Sequence, residues 1–560
     1  MKAAMNRLKR TRILERRKFL NQIGTVGVAG LCLTGTPLLA GTDEGSSGEV
    51  LSNGIRLPSN WPPRFASLSL EPMVVPYLAS PPEIIPIDTG RQLFVDDFLI
   101  EQTTLRRTFH TAKYHPENPI LKPDKPWEQT GRDSAAMVFS DGIWHDPHDG
   151  LYKMWYMGGI LKSTCYAFSK DGIHWHKPIL DVQPGTNLVQ AGRRDSSTVW
   201  LDLEEKNPKR RFKMFRSHGE GGWALSIHFS ADGIHWSDPI CRSGPCGDRT
   251  TVFYNPFRKV WVFSIRADAG GLGRIRKYFE TRDLVARAHW QADEPTLWIG
   301  ANRLDAKRND LKTQPQLYNL DAVAYESLFL GLFTIWRGQP QDRPKPNEVC
   351  VGFSRDGFHW NRPDHQSFIP VSENVGDWNW GNVQSAGGCC LVVGDQLYFY
   401  VSGRAGIRGT PASGVCSTGL ATLRRDGFAS IDAGASEGAL TTRVVRFRGK
   451  HLFVNAAVRG GELRAEILDK EGRTVEPFSQ ANCLPIKVDR TLQMVQWQRD
   501  NDLSALAGKP VRFRFSLANG RLYAFWVSPS TSGASYGYVA AGGPNFKAPT
   551  DTVGLGADRQ

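Results

Sequence analysis

The sequence predicts an all-β chain, a five-bladed β-propeller followed by a C-terminal β-sandwich. Three observations predict it. The phrase S-x-D-G-[IF]-H-W occurs three times, as SKDGIHWHKP at Ser169, SADGIHWSDP at Ser230 and SRDGFHWNRP at Ser354. A second ladder of polar residues opens β-rich runs at Asp133, Asp195, Asp248, Asp321 and Asn382. Aromatic residues make up 11% of the chain, glycine is abundant at 56 residues, and long helical periodicity is confined to the N-terminus, a composition that favours strands and turns over helices.

The phrase is a repeat unit. Its aspartates, Asp171, Asp232 and Asp356, stand 61 and 124 residues apart, so one copy is skipped. FETRDLVARAHW, with Asp283 and Trp290, falls where the missing copy belongs, and RRDGFASI at Asp426 supplies a decayed fifth. Physically the phrase reads as a strand end, a tight Asp-Gly turn and a tryptophan returning on the next strand. Two or three β-rich runs precede each copy, as in MVFSDGIW, LYKMWYMGG and STCYAFS. One unit therefore holds about four strands, the content of a propeller blade. The ladder of strand openings is spaced by 62, 53, 73 and 61 residues, and it tracks the first ladder independently.

Taken in order, residues 1–40 read as a twin-arginine export signal. Arg16-Arg17-Lys18-Phe19-Leu20 precedes an apolar run that is broken by glycines and Pro37 and ends at Leu39-Ala40, too interrupted for a membrane span. Residues 41–86, rich in Pro, Ser and Gly, read as a linker wrapped over a surface. RQLFVDDFLI, Arg91 to Ile100, reads as a strand that completes the last blade. The propeller is expected over 87–430. Alternating strands without the phrase fill 431–528, a length and pattern suited to a sandwich. Residues 529–560, rich in Gly, Ser and Ala, are expected to be disordered.

Charge excludes one class of partner. The formal net charge of +13 is concentrated in the first 40 residues, where eight Lys or Arg face one Glu. The remainder shows no nucleic-acid footprint, and after signal removal no membrane partner is expected. The chain is expected to be exported, to the periplasm or beyond. Its nine cysteines contain no metal-type C-x-x-C pair. Buried free thiols are expected, with a Cys241 to Cys246 bridge left open. No cofactor is implied, although converging carboxylates leave room for an axial cation such as calcium. Oligomeric state is not legible.

In a propeller, residues that open the inner strands meet in one axial funnel. Asp133, Asp195, Asp248 and Asp321 would converge there, with Asn382 or Gln384 from the fifth blade. Crowded carboxylates cannot all ionise without cost, so at least one pKa should rise and an acid can stand beside a base. An aspartate at a strand start can equally cap a turn. Arg216, Arg266, Arg337 and Arg404 end the second strands on the same face. They can clamp a carboxylate or sulfate, or neutralise the aspartates within the protein. His218 and Trp223 in HGEGGW, and Trp380 in DWNWGN, lie near the same mouth, where tryptophan faces suit sugar rings or ordinary blade packing. Trp175, Trp236 and Trp360 of the phrases read as core.

Five blades with aspartates at the inner-strand starts, followed by a sandwich, resemble the five-bladed-propeller glycosidases, glycoside hydrolase families 32 and 43. LFVDDFLI, LYKMWYMGG and SKDGIHW are similar to secreted bacterial proteins grouped near family 32. The resemblance implies a secreted glycoside hydrolase acting on an oligo- or polysaccharide, with an acidic or sulfated glycan as a subsidiary expectation. It assigns Asp133 as nucleophile or base and Asp195 as an orienting residue. The acid position holds no Glu, which leaves Asp248 first and Glu326 second as the acid. Two rivals stand beside it. The phrase is also similar to the sialidase Asp-box, whose proteins usually have six blades, and a glycan-binding propeller without catalysis needs no acid.

Overall fold

The computed structural model describes residues 48–130, 133–219 and 221–558; the export-signal expectation for 1–40 lies outside them. The described chain is nearly all-β, 42% strand and 5% helix, and its strands form seven sheets.

Five sheets follow the repeat units. The first runs Ala136–Asp146, Leu151–Gly158, Ser163–Ser169 and Leu188–Gln190, with Trp175–His176 paired beside the third strand. The second holds Ser197–Leu201, Phe212–His218, Ala224–Ser230 and Cys241–Arg242; the third holds Thr251–Asn255, Val260–Ala269, Gly273–Thr281 and Thr296–Gly300. In the fourth, Gln316–Glu326, Leu328–Trp336 and Glu348–Ser354 are joined by the late strand Tyr538–Val539. The fifth consists of Asn382–Ser385, Leu391–Val393, Gln396–Arg404, Cys416–Arg424 and the early strand Lys113–Tyr114.

The first strands of these sheets neighbour one another in cyclic order. Ala136–Asp146 lies against Ser197–Leu201, that strand against Thr251–Asn255, and that one against Gln316–Glu326. The fourth sheet meets Asn382–Ser385, and the fifth returns to Ala136–Asp146. One apolar core runs through all five sheets.

The repeated phrase is the fastener between sheets. In each copy the serine hydroxyl accepts from the glycine N–H, at 2.9 Å in all three, while one aspartate oxygen accepts two main-chain N–H groups further on. The second aspartate oxygen meets the histidine Nδ1 at 2.7 to 2.8 Å. This closed local loop explains why the phrase tolerates so little variation. The turn then docks on an aromatic side chain of the neighbouring sheet. Trp155 donates to the Gly233 carbonyl, Tyr400 to that of Gly172, and Trp298 to that of Phe358, each at 2.7 Å. Gly172, Gly233 and Gly357 have φ of 79°, 82° and 83°, the region that favours glycine. Trp360 is buried, whereas Trp175 and Trp236 are half-buried at the sheet margins. At the decayed third copy Asp283 instead caps the short helix Leu284–Arg287.

The two remaining sheets have six strands each and share a second apolar core that includes Phe94, Phe447, Phe513, Phe515 and Phe525. They draw on both ends of the chain. Ile85–Pro86 and Ile100–Thr103 join Gly438–Thr442, Val445–Arg446, Glu462–Asp469 and Val511–Ala518. Gln92–Leu93 and Arg106–Phe109 join Ala429–Ala433, His451–Ala457, Asp489–Met494 and Gly520–Ser528.

This corrects two expectations. The stretch Arg91 to Ile100 does not complete the last ring sheet: Gln92–Leu93 pairs with Ala524 and Phe525 in a six-stranded sheet, and Asp96 turns inward to a buried ion pair with Arg355 at 2.8 Å. Lys113–Tyr114 pairs with the fifth ring sheet instead. Residues 529–558 are folded rather than disordered. Tyr538–Val539 pairs with Tyr325 and Glu326, the Ala541 N–H donates to Cys390, and Ala541 accepts from His145. Main-chain bonding, which needs no particular side chain, lets this Gly- and Ala-rich tail seat itself. The segment 48–84 runs over the third and fourth sheets through Trp61 to Glu280, a Phe65–Leu297 bridge, and Tyr77 between His359 and Arg355.

Candidate active site

Register brings the expected residues to one end of the ring. Ser197 pairs with Arg216, Asn382 with Arg404 and Gln316 with Trp336. The residues that open the first strands and those that end the second strands are therefore level. In the fourth sheet the strand begins at Gln316, so Asp321 lies within the strand rather than at its opening, and Tyr318 takes the level nearer the mouth.

Two tiers of polar residues result. In the deeper tier the inner strand of the first sheet bulges between Met137 and Gly142, with Ser140 at φ 57° and Gly142 at φ 135°. The bulge aims Ser140 and Asp141 at the centre. Asp321 accepts from Ser385 at 2.6 Å, Asn319 at 2.7 Å and Ser140 at 3.3 Å, joining the fourth, fifth and first sheets. Arg194 of the second sheet pairs with Asp141 at 2.8 Å. Burial pushes the Asp141 carboxyl up to about 7 against the pull of Arg194, and it raises Asp321 as well. Arg276, fully buried, is drawn down to about 9 by burial and then by Arg249. It donates to the Arg249 carbonyl at 2.6 Å and to Ser264 Oγ at 2.9 Å.

The upper tier carries Asp195, Asp248 and Asp133. Burial pushes the Asp195 carboxyl up to about 6; the nearby Asp248 adds to the rise, and Arg249 and Arg194 oppose it. Its Oδ1 is buried without a hydrogen-bond partner. Asp248 is the open member of the pair, its side chain 39% exposed and 3.4 Å from Arg266 Nε. Asp133 is buried just ahead of Ala136–Asp146, its carbonyl accepting from Ile160.

Of the remaining expected residues, Arg266 is shared between Asp248 and Asp268, and Arg216 donates to the Ala191 and Arg193 carbonyls. Arg404 donates to Ser413 at 3.1 Å and faces Phe139. Gln384 is buried, donates to Asn382 at 2.7 Å and has an unpartnered Oε1. His218 ends its strand half-buried, opposite Ala224. Trp223 is 41% exposed beside Gly219.

Three expected site residues lie elsewhere. Glu326 sits at the far end of Gln316–Glu326, fully buried between Arg91 at 3.5 Å and Arg425 at 3.2 Å, and accepts from Ser535. It ties the tail to the ring and is not a candidate acid. Arg337 is buried against Glu348 and the Ala306 carbonyl. Trp380 is buried beneath Arg343, whose guanidinium lies 4.8 Å over its ring, so it offers no open face to a sugar.

Sequence reasoning missed Asp141, Arg194, Arg249, Tyr318 and Lys345. Arg194 and Arg249 each adjoin a ladder aspartate, in RRDSS and GDRTT, and that adjacency was the available signal. Guanidinium groups stand between the carboxylates where an axial calcium had room in the sequence reading. Among the described residues no group of three or more His, Cys, Asp or Glu side chains is arranged to hold a metal ion. The eight described cysteines, Cys241 and Cys246 included, are free thiols. No helix among the described residues is long and apolar enough to cross a membrane.

No protein-family model matches the chain, and no curated protein matches it. Among solved structures it is similar to an N-acetylgalactosamine deacetylase from F. plautii in complex with blood group B trisaccharide, at 13% identity and a TM-score of 0.37 over 55% of this chain and 97% of that one. It is also similar to a glycoside hydrolase family 43 arabinoxylan arabinofuranohydrolase from Bacillus subtilis, at 10% identity and a TM-score of 0.34 over 75% and 99%. A beta-1,2-mannobiose phosphorylase from Listeria innocua gives 13% identity and a TM-score of 0.37 over 56% and 96%.

Proposed function

We propose that the five ring sheets are the blades of a β-propeller, that the paired six-stranded sheets form a β-sandwich, and that the chain is an exported carbohydrate-active enzyme. Within that class the reading is a glycoside hydrolase working at the mouth of the ring. One observation carries it: Asp195, a carboxyl kept protonated up to about pH 6, lies beside Asp248, a carboxyl open to solvent. Two carboxyls in contrasting environments are what acid and base roles require.

In this mechanism protonated Asp195 gives its proton to the glycosidic oxygen as the bond to the anomeric carbon breaks. Asp248, or Asp133 from the first sheet's opening, takes the proton of the attacking water or attacks the carbon itself. The half-open indole of Trp223 supports saccharide stacking at the rim. The sialidase rival expects six repeat units where this ring has five sheets. A panel of aryl glycosides and plant or algal polysaccharides tests the proposal. Turnover by wild type that is lost in Asp195→Asn and Asp248→Asn supports it; binding without turnover by wild type would favour the non-catalytic reading.

A further inference from the structure

We propose that the mouth contains an anion subsite formed by Lys345, Arg249, Arg404 and Arg274 around the ring of Tyr318, which takes a carboxylate or sulfate substituent of the saccharide. The inference rests on the mouth being the saccharide site and names the class of saccharide.

Four cations from the third and fifth sheets and one connecting loop meet here. The Lys345 ammonium donates to the Tyr318 hydroxyl at 2.8 Å and lies 4.7 Å over the ring. Arg274 and Arg249 approach the same ring at 5.3 and 5.8 Å. Arg404 and Arg249 both approach the ring of Phe139, at 5.9 and 3.6 Å.

Charge balance separates this group from the arginines first considered. Arg266 is matched by Asp248 and Asp268, and Arg337 by Glu348. Among the described residues no carboxylate lies within ion-pair distance of Lys345, Arg249, Arg404 or Arg274. Their hydrogen bonds go to neutral oxygens: the Tyr318 hydroxyl, Ser140, Ser413 and Gln316. Arg249 is the buried member of the four; Asp141, Asp195 and Asp321 feel its charge, but none accepts a hydrogen bond from its side chain, and an anionic ligand in direct contact supplies what they do not.

A second observation points inward. Arg249 is 1% exposed, yet its Nε and Nη1 have no hydrogen-bond partner, and neither does Nε of Arg404. Both polar atoms of the fully buried Asn347 side chain, two residues beyond Lys345, are also unpartnered. Planar donors of this kind fit the oxygens of a carboxylate or sulfate. Tyr318 registers the excess of positive charge: burial raises its hydroxyl, but Lys345, Arg249 and Arg404 together overcome that and lower it.

The test uses the full chain labelled with 3-fluorotyrosine, the Tyr318 fluorine resonance being assigned with Tyr318→Phe. Sodium sulfate and sodium acetate are titrated at ionic strength held constant with chloride, so that general screening does not change. The expected result is a saturable shift of that resonance in wild type, lost in Lys345→Gln/Arg404→Gln and retained in Lys345→Arg and Arg404→Lys. The anion that saturates at the lower concentration identifies a sulfate ester or a carboxylate. A resonance that does not respond saturably to either anion overturns the proposal, as does a response that survives in Lys345→Gln/Arg404→Gln. The readout needs no turnover, so an inactive protein that still binds sulfate would count against hydrolysis and not against the subsite.

Discussion

The guanidinium of Arg249 lies 3.6 Å over the ring of Phe139, carrying a cation from the third sheet onto the inner strand of the first. From there it acts on Asp141, Asp195 and Asp321, pulling each carboxyl down against burial. Arg249→Met removes that pull and leaves the burial. The Asp195 carboxyl then rises above its native value of about 6, and the pH limit of activity moves in the alkaline direction. Loss of the stacked cation should also lower stability by about 1–2 kcal/mol. A pH-rate profile and a urea transition, measured on the same preparation, check the two effects separately.

The sheet fasteners predict a strict glycine. A Cβ on Gly233 would stand 2.4 Å from the Trp155 ring, at a φ of 82° that disfavours any side chain. Gly233→Ala is expected to destabilise by about 2–4 kcal/mol, summing overpacking and left-handed strain. At Gly185, where a Cβ meets no atom within 4 Å and φ is 80°, only the strain remains. Thermal unfolding of the two alanine variants should rank Gly233→Ala well below Gly185→Ala.

Glu326 belongs to a buried group of two arginines and three carboxylates: Arg91, Arg425, Asp426 and Asp551 complete it. Glu326→Gln leaves Asp426 and Asp551 to balance the two guanidinium groups, so it should cost about 1–3 kcal/mol, the loss of charge-assisted hydrogen bonds to the carboxylate. Activity per folded molecule should be unchanged. A reduced kcat/KM in protein shown to be fully folded would return Glu326 to the catalytic site.

The tail offers a related check. Asp551 pairs with Arg425 at 2.9 Å, Ser535 donates to Glu326, and Val539 pairs with Tyr325. A chain ending at Ser528 strips all three from the far end of the Gln316–Glu326 strand. It should lose cooperative unfolding or the soluble fraction, whereas a dispensable tail would leave the urea midpoint where it was.

The parts of the fold that were legible in the sequence are the parts whose physics is local. Ser169, Asp171, Gly172 and His174 bond to one another within six residues, so the phrase repeats and can be counted. Asp195 and Asp248 were legible because two ladders keep step, each marking a strand opening. Asp321 was placed at the wrong depth because its strand begins five residues earlier, at Gln316, with no turn signal to show it. Asp141 was hidden within MVFSDGIW, where an Asp-Gly pair inside a strand marks a bulge rather than a hairpin. The tail and the early strands Gln92–Leu93 and Arg106–Phe109 pair with segments hundreds of residues away, and no local pattern encodes such partners.

The most direct measurement is kcat/KM for glycoside cleavage against pH, in wild type and in Asp195→Asn. With Asp195 as the acid, the protonated form is the active one. Wild-type kcat/KM should therefore fall about tenfold per pH unit above its limb near pH 6. Asp195→Asn should lose roughly 100- to 10,000-fold together with that limb. Wild-type turnover in Asp195→Asn, or an unchanged alkaline limb, would contradict the account.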